Sequence, residues 1–137
     1  MAENKVSVLT PKVIKLAAAR ELDKLMSVAT GIESAVLTTE DGFEVAFKST
    51  DETVDPSKLA AMASSLSAIS NMSICETNLG TEYNSIIIES DKGYIVIMDI
   101  DNEAFPMILN VVASKNAVLG QILYHARAVV DAFNSKV

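Results

Sequence analysis

The residues of this chain that could do chemistry are few, and none stands at a catalytic spacing. His125 is the only histidine and Cys75 the only cysteine. Neither has a Ser, His or Cys partner at the separation that catalytic or metal-binding motifs use, so we expect both to be structural or surface residues. The sequence also contains no phosphate-binding loop and no nucleophile-elbow motif. It therefore predicts a protein that is not an enzyme and that binds no cofactor.

A group of acidic residues in the second half of the chain could suggest a cation site. Its members are Glu89, Asp91, Asp99, Asp101 and Glu103. Calcium-binding loops of the EF-hand kind need carboxylates at fixed intervals around a central glycine, and this group does not have that spacing. We expect a solvated rim of turns and no metal site.

Composition places the chain among globular proteins of one domain. Half of its 137 residues are hydrophobic and 21% are charged. We expect residues 1–10 to form an N-terminal tail and residues 11–137 to form a single domain. The net charge of −7, with scattered basic residues, argues against a nucleic-acid or anionic-membrane partner. With no visible signal peptide, no apolar run long enough for direct membrane insertion and one cysteine, we expect a cytoplasmic location.

Hydrophobic periodicity and turn signals divide the chain into three helices and five strands. Thr10-Pro11 and Asp55-Pro56 each pair a capping side chain with a proline, which predicts a helix start. The predicted helices and strands, in chain order, are helix 11–29, strands 33–39 and 43–48, helix 56–76, strands 84–90, 94–100 and 105–113, and helix 115–133. Short turns between the strands predict an antiparallel sheet, and three helices suffice to cover both of its faces. The fold class is therefore α+β, an α/β sandwich.

The second helix is unusual because it has no charged face. LAAMASSLSAISNMSIC, residues 59–75, contains no charged residue, whereas an ordinary surface helix turns a charged face to water. With five serines and one asparagine, it is too polar and too short for a comfortable membrane span. We expect this helix to be covered by its own domain on one side and by another protein on the other.

The third and fourth strands lack the alternation of a half-exposed sheet. Ile86, Ile87 and Ile88 stand in a row, and residues 95–98 are again continuously apolar. Such runs are typical of strands buried on both faces. We expect this part of the sheet to be dry on both sides.

In this order of elements the chain resembles the roadblock/dynein light-chain domain family. Four local patterns contribute to the resemblance: TGIESAVLTTEDGFEVA, LAAMASSLSAISNM, SIIIESDKGYIVIMDID and AVLGQILYHAR. The resemblance covers residues 14–133, most of the chain. Longin and profilin-like sensor domains share much of the same pattern of helices and strands.

The resemblance implies a homodimer in which one sheet continues across two chains. The edge strand of each chain would contribute Ser85, Ile86, Ile87 and Ile88 to the dimer interface. The second helices of the two chains would lie side by side, through the small-residue stripe Ala61, Ser65, Ala68 and Met72. The large apolar stripe, Leu59, Met62, Leu66 and Ile69, is then best placed on the sheet. The remaining stripe, Ala60, Ser64, Ser67 and Asn71, would face outward as an uncharged surface for a partner protein.

The resemblance also implies a function. Roadblock-like proteins are non-enzymatic adaptors or regulators. The partner that the resemblance implies is a small Ras-like GTPase or a scaffolded protein complex. The alternative is a profilin-like module that senses a small molecule, which would need a cavity lined by convergent polar groups. The high content of Ile and Val predicts a filled core instead.

Overall fold

Eight helices and strands follow one another in residues 10–134, the part of the chain that the computed structural model describes. They are α1 (Lys12–Val28), β1 (Ile32–Thr39), β2 (Glu44–Ser49), α2 (Pro56–Glu76), β3 (Ile86–Ser90), β4 (Gly93–Ile100), β5 (Met107–Ser114) and α3 (Leu119–Asn134). The predicted order is confirmed. The predicted tail, residues 1–10, lies outside the described residues except for Thr10.

The five strands form one antiparallel sheet in the order β2-β1-β5-β4-β3. The two hairpins, β1–β2 and β3–β4, are local, while the β1–β5 pair joins the two halves of the chain. The predicted antiparallel sheet is confirmed. Its edges are β2 and β3, so the predicted edge position of the isoleucine-rich strand is also confirmed.

The sequence predicts the start of α2 correctly, but it does not predict the cap of α1 or the start of α3. Asp55 caps α2, since its Oδ1 accepts a hydrogen bond from Ser57 N at 2.9 Å and Pro56 begins the helix. The predicted cap at Thr10 is wrong, because Pro11 occupies the cap position of α1 and no side chain among the described residues caps it. The third helix begins at Leu119, four residues later than predicted.

One face of the sheet is covered by α1 and α3. α1 buries Leu22 and Leu25 in this layer, and α3 adds Ile122, Val129 and Phe133. Each fully buried side chain of this size contributes about 1.5–3 kcal/mol. Most of the large buried side chains of the fold lie in this layer.

The opposite face is covered by α2 alone. Side chains alternate along a strand, so Ile97 of β4 points to α2 while Val96 and Met98 point to the other layer. Beneath α2 lies a small cluster of Ala63, Tyr83, Ile97 and Ile108. The predicted helices on both faces are therefore confirmed. Within residues 10–134, none of the helices has the length and apolar character needed to cross a membrane.

Burial on both faces holds for β4 and not for β3. Val96, Ile97 and Met98 are buried, whereas Ile87 is 44% exposed and Ile88 is 37% exposed. The prediction of a dry strand is wrong for β3 in the single chain, because this strand lies at the edge of the sheet, where α2 on one face and α3 on the other do not reach across it.

Candidate protein-interaction site

The turn between β1 and β2 fixes one side of α2. Gly42 has a positive φ of 92°, and a Cβ at this position would lie 3.3 Å from Cβ of Ser64. The Ser64 hydroxyl donates a hydrogen bond of 2.7 Å to the carbonyl oxygen of Glu40. The hairpin turn therefore rests directly on the middle of α2.

Tyr83 fixes the C-terminal half of α2 from the loop that leads to β3. Its hydroxyl donates to Oγ of Ser67 at 2.9 Å, and its backbone N–H donates to Oδ1 of Asn71 at 3.0 Å. Burial raises the pKa of Tyr83 to about 12, so the phenol stays protonated and remains a donor. Tyr83 is not among the site residues that the sequence predicts. A single aromatic residue between Glu82 and Asn84 in a polar loop was the signal that could have indicated an anchor.

The stripe predicted to bind a partner does not face outward. Ala60 is 0% exposed and Ser67 is 5% exposed, so both lie against the sheet. Ser64 and Asn71 are half-buried and use their side chains in the hydrogen bonds given above. The predicted outward orientation is wrong, because bulky Ile97 and Ile108 rise from the sheet at this place and small helix residues fit over them.

The stripe predicted to lie on the sheet is turned the other way. Met62 is 50% exposed and Ile69 is 59% exposed, so the prediction is wrong for both. Leu59 and Leu66 are half-buried, and Leu66 packs at the margin of the small cluster under α2. The largest apolar side chains of this helix are therefore not the ones that attach it to the sheet.

The predicted small-residue stripe lies on the solvent side of α2, together with Met62 and Ile69. Met72 is 67% exposed, and Ala61, Ser65 and Ala68 are exposed as well. We call the set the outward face of α2. It consists of Ala61, Met62, Ser65, Ala68, Ile69 and Met72. This position leaves the small-residue stripe free for contact with another chain, and its role in a dimer stays a prediction.

The edge strand predicted for the dimer is open along its outer side in residues 10–134. Ser85 and Ile86 are half-buried, while Ile87 and Ile88 are exposed. Pairing with β4 places Ile86 and Ile88 on the α2 side of the sheet and Ile87 on the other side. Unpaired N–H and C=O groups on such an edge are a template for another strand.

An apolar groove continues from this edge onto the sheet. It has a volume of about 250 Å³, and Ile88, Ile95 and Val112 are among the side chains that line it. These three residues lie opposite one another on adjacent strands, on the face that carries α2. The groove is therefore part of the sheet surface that α2 leaves uncovered, and we call it the edge groove.

A second cavity, of about 210 Å³, lies on the flank of α2 that faces the hairpin turn. Three carboxylates line it, Glu40, Glu82 and Asp99, and we call it the acidic cleft. Burial raises the pKa of Asp99 to about 6, and the nearby charges of Glu82, Glu40 and Asp101 act in the same direction. No three His, Cys, Asp or Glu side chains among residues 10–134 are placed to hold a metal ion.

Solved structures with the same fold come from several organisms. A Roadblock/LC7 domain from Streptomyces avermitilis superposes with a TM-score of 0.75 at 19% identity, over 83% of this chain and 92% of that chain. Myxococcus xanthus MglB gives a TM-score of 0.80 at 13% identity, over 93% and 92% of the two chains. LokiProfilin1, solved in complex with rabbit actin, gives 0.58 at 13% identity, over 88% and 96%. At these identities the likeness establishes the fold.

The family is established by sequence. No curated protein matches the chain. The model of the Roadblock/LC7 domain matches residues 18–110, a span that runs from the middle of α1 into β5 and includes the whole of α2 and the edge strand β3. Because this match covers more than half of the sequence and agrees with the order of helices and strands, the chain belongs to the Roadblock/LC7 domain family.

Proposed function

We propose that this chain is a non-enzymatic, cytoplasmic, homodimeric adaptor or regulator that binds a small Ras-like GTPase or scaffolds a protein complex. The observation that carries the proposal is the outward face of α2. It exposes Met62, Ile69 and Met72, and the sequence has no charged residue between Lys58 and Glu76. Apolar surface of this kind on a small domain is typical of a site for another protein.

The proposed homodimer follows from the edge strand. An exposed isoleucine-rich edge in a monomer is prone to uncontrolled pairing, and pairing β3 with β3 of a second copy removes the edge. The edge groove lies beside that strand on the α2 side, so the same contact would cover Ile88 and Ile95. One partner would thus cover both the open edge and the sheet surface beside it.

The partner surface differs from the one that the sequence predicts. Since Ala60 and Ser67 are buried, the partner must contact residues that the helix does present, and Met62 and Ile69 are the large ones outside the small-residue stripe. The GTPase itself is implied by membership of the family. In this proposal, the chain contributes a binding surface and the partner supplies the nucleotide chemistry.

The alternative function, a profilin-like sensing module, has less support. The likeness to LokiProfilin1 is one of fold. The three cavities described along residues 10–134 have volumes of about 250, 210 and 280 Å³, whereas small-molecule sites usually span about 300–1,000 Å³. We therefore retain the adaptor as the proposed function.

Capture from native cell extract tests the proposal. The tagged wild-type protein should retain a small GTPase, identified by mass spectrometry, and Met62→Glu should reduce its recovery at least tenfold, because a desolvated carboxylate at the interface is costly. The matched control is Val13→Glu, which puts the same charge on the exposed face of α1. If no GTPase is retained, or if both variants recover it equally, the proposed partner or its site is wrong.

A further inference from the structure

The net charge of −7 is distributed unevenly along the chain. Residues 1–20 contain four basic residues and one acidic residue, whereas residues 21–137 contain seven basic and seventeen acidic ones. Three of the four early basic residues, Lys12, Lys15 and Arg20, lie in the first half of α1. Net charge alone argues against an anionic membrane partner, but a partner meets the local surface, and the local charge here has the opposite sign.

α1 brings these basic residues together with two aliphatic side chains. Positions three or four apart are neighbours on a helix, so Lys12 adjoins Lys15 and Leu16. By the same rule, Leu16 adjoins Val13 and Arg20. All five side chains are exposed, Val13 by 69% and Leu16 by 60%. We call this set of five residues the basic face of α1.

No carboxylate among residues 10–134 neutralises the basic face. The two acidic residues of α1 lie in its second half and have partners of their own. Glu21 pairs with Lys24 at 3.4 Å, and Asp23 pairs with Lys48 at 3.2 Å. The two lysines of the basic face are instead like-charged neighbours, an arrangement that is slightly unfavourable in an isolated helix. An anionic partner would relieve this repulsion.

The mixture of cations and aliphatic side chains favours a lipid surface over an acidic protein. An acidic protein would account for the three charges, but it gives no reason for keeping Val13 and Leu16 in water between them. At a bilayer surface, aliphatic side chains enter the headgroup region while Lys and Arg extend to the anionic lipids. Two aliphatic residues support a shallow, peripheral contact, and within residues 10–134 α1 is not a helix that could cross a membrane.

The position of α1 in the fold allows this contact. α1 and α3 cover one face of the sheet, while α2 and the acidic cleft lie on the other. With the basic face against a membrane, the sheet separates the acidic cleft from the lipids. Ions screen charges over about 8 Å at physiological ionic strength, which weakens the remaining repulsion.

We propose that the basic face of α1 binds the surface of membranes that contain anionic phospholipids. In this orientation the outward face of α2 points away from the bilayer, so a protein held there would be brought to the membrane. The inference goes beyond the adaptor function and requires neither the homodimer nor the GTPase. A protein that binds vesicles and captures no GTPase would uphold it while overturning the function proposed above.

Vesicle flotation with the full-length protein tests the inference. One set of vesicles consists of phosphatidylcholine, and the other contains about 30% phosphatidylserine, which supplies the anionic surface. The fraction of protein bound to the anionic vesicles should be at least tenfold higher than the fraction bound to the neutral ones. It should fall severalfold when the salt concentration is raised from about 0.1 M to about 0.5 M. This comparison uses the wild type alone and does not depend on the folding of any variant.

Charge-reversed variants locate the binding surface. Lys12→Glu combined with Lys15→Glu should lower binding to the anionic vesicles at least tenfold. The matched control is Lys58→Glu combined with Lys115→Glu, which changes the net charge equally at two exposed positions outside the basic face. This control should lower binding less than threefold. Leu16→Gln keeps the charge and should weaken binding severalfold, because its apolar surface no longer enters the headgroup region. Thermal unfolding followed by circular dichroism shows that each variant is folded.

Three results would overturn the inference. The first is a wild type that binds anionic and neutral vesicles equally, or binds neither. The second is a control pair that loses as much binding as the pair on the basic face. The third is a Leu16→Gln protein that binds like the wild type, since the face would then act by charge alone, as it would towards an acidic protein.

Discussion

Asp99 lies on the face of β4 that α2 covers, where a carboxylate is costly. Its neighbour two residues earlier, Ile97, is part of the cluster under α2, and Asp99 itself opens into the acidic cleft. Burial, together with the charges of Glu82 and Glu40, raises its pKa from 3.8 to about 6. The folded protein therefore binds this proton more tightly than the unfolded chain.

The raised pKa predicts how the free energy of unfolding depends on pH. Since the folded state binds more protons than the unfolded state between pH 3.8 and about 6, stability should fall as pH rises through this window and level off above it. Asp99→Asn should remove this slope and stabilise the protein at pH 7 by about 1 kcal/mol, a figure discounted for the solvent that reaches the carboxylate.

Urea unfolding at several pH values measures this effect. Asp91→Asn, which removes an exposed carboxylate from the β3–β4 turn, is the control and should keep the wild-type slope. An Asp99→Asn protein with the wild-type slope would show that burial of this carboxylate does not control the acid-range stability.

At the scale of the elements, β3 and α2 differ from the other strands and helices by what they leave uncovered. β3 has five residues, lies at the edge and exposes Ile87 and Ile88. α2 covers β1 and β5 more than it covers β4, so the sheet surface between α2 and β3 stays open as the edge groove. Both elements therefore expose large apolar side chains in the single chain.

Ile87→Lys should convert the dimer into a monomer. In the proposed dimer this side chain lies at the paired edge, where two lysines from the two copies would repel each other and lose hydration. Analytical ultracentrifugation at micromolar concentration should give twice 14.6 kDa for the wild type and 14.6 kDa for the variant. Val13→Lys adds the same charge to α1 and should remain dimeric. A dimeric Ile87→Lys protein would exclude β3 from the interface.

At the scale of the whole molecule, the sheet separates a larger buried core on one face from a smaller one on the other. The layer of α1 and α3 contains the larger core, while the layer of α2 contains small buried residues, the acidic cleft and the outward face. The proposed partner surface, the outward face of α2, lies on the side of the sheet that has the smaller core.

The purified protein alone should bind neither GTP nor ATP. The sequence contains no phosphate-binding loop, and the nucleotide chemistry in the proposed function belongs to the partner. Isothermal titration calorimetry with each Mg²⁺–nucleotide at millimolar concentration should show no saturable heat. Micromolar affinity for either nucleotide would contradict the non-enzymatic adaptor.

The sequence by itself determined the order of helices and strands, the antiparallel hairpins and the capped start of α2 at Asp55. These depend on local chemistry: a side chain that accepts a backbone N–H, a proline at the first helical position, and turn residues between apolar runs. The edge strand also followed from the sequence, through the family that the pattern resembles. The uncharged character of α2 predicted a domain on one side of this helix and another protein on the other, and the second of these stays a prediction.

Only the tertiary structure decided which side of α2 meets the sheet. Periodicity divides a helix into stripes, and hydrophobicity places the largest apolar stripe inside. Here the sheet presents the bulky Ile97 and Ile108, and the hairpin turn at Gly42 lies close to α2. Small residues of α2 such as Ala60 and Ser67 therefore face the sheet, while Met62 faces solvent. Side-chain volumes on strands distant in sequence set that choice, and no local pattern in α2 records them.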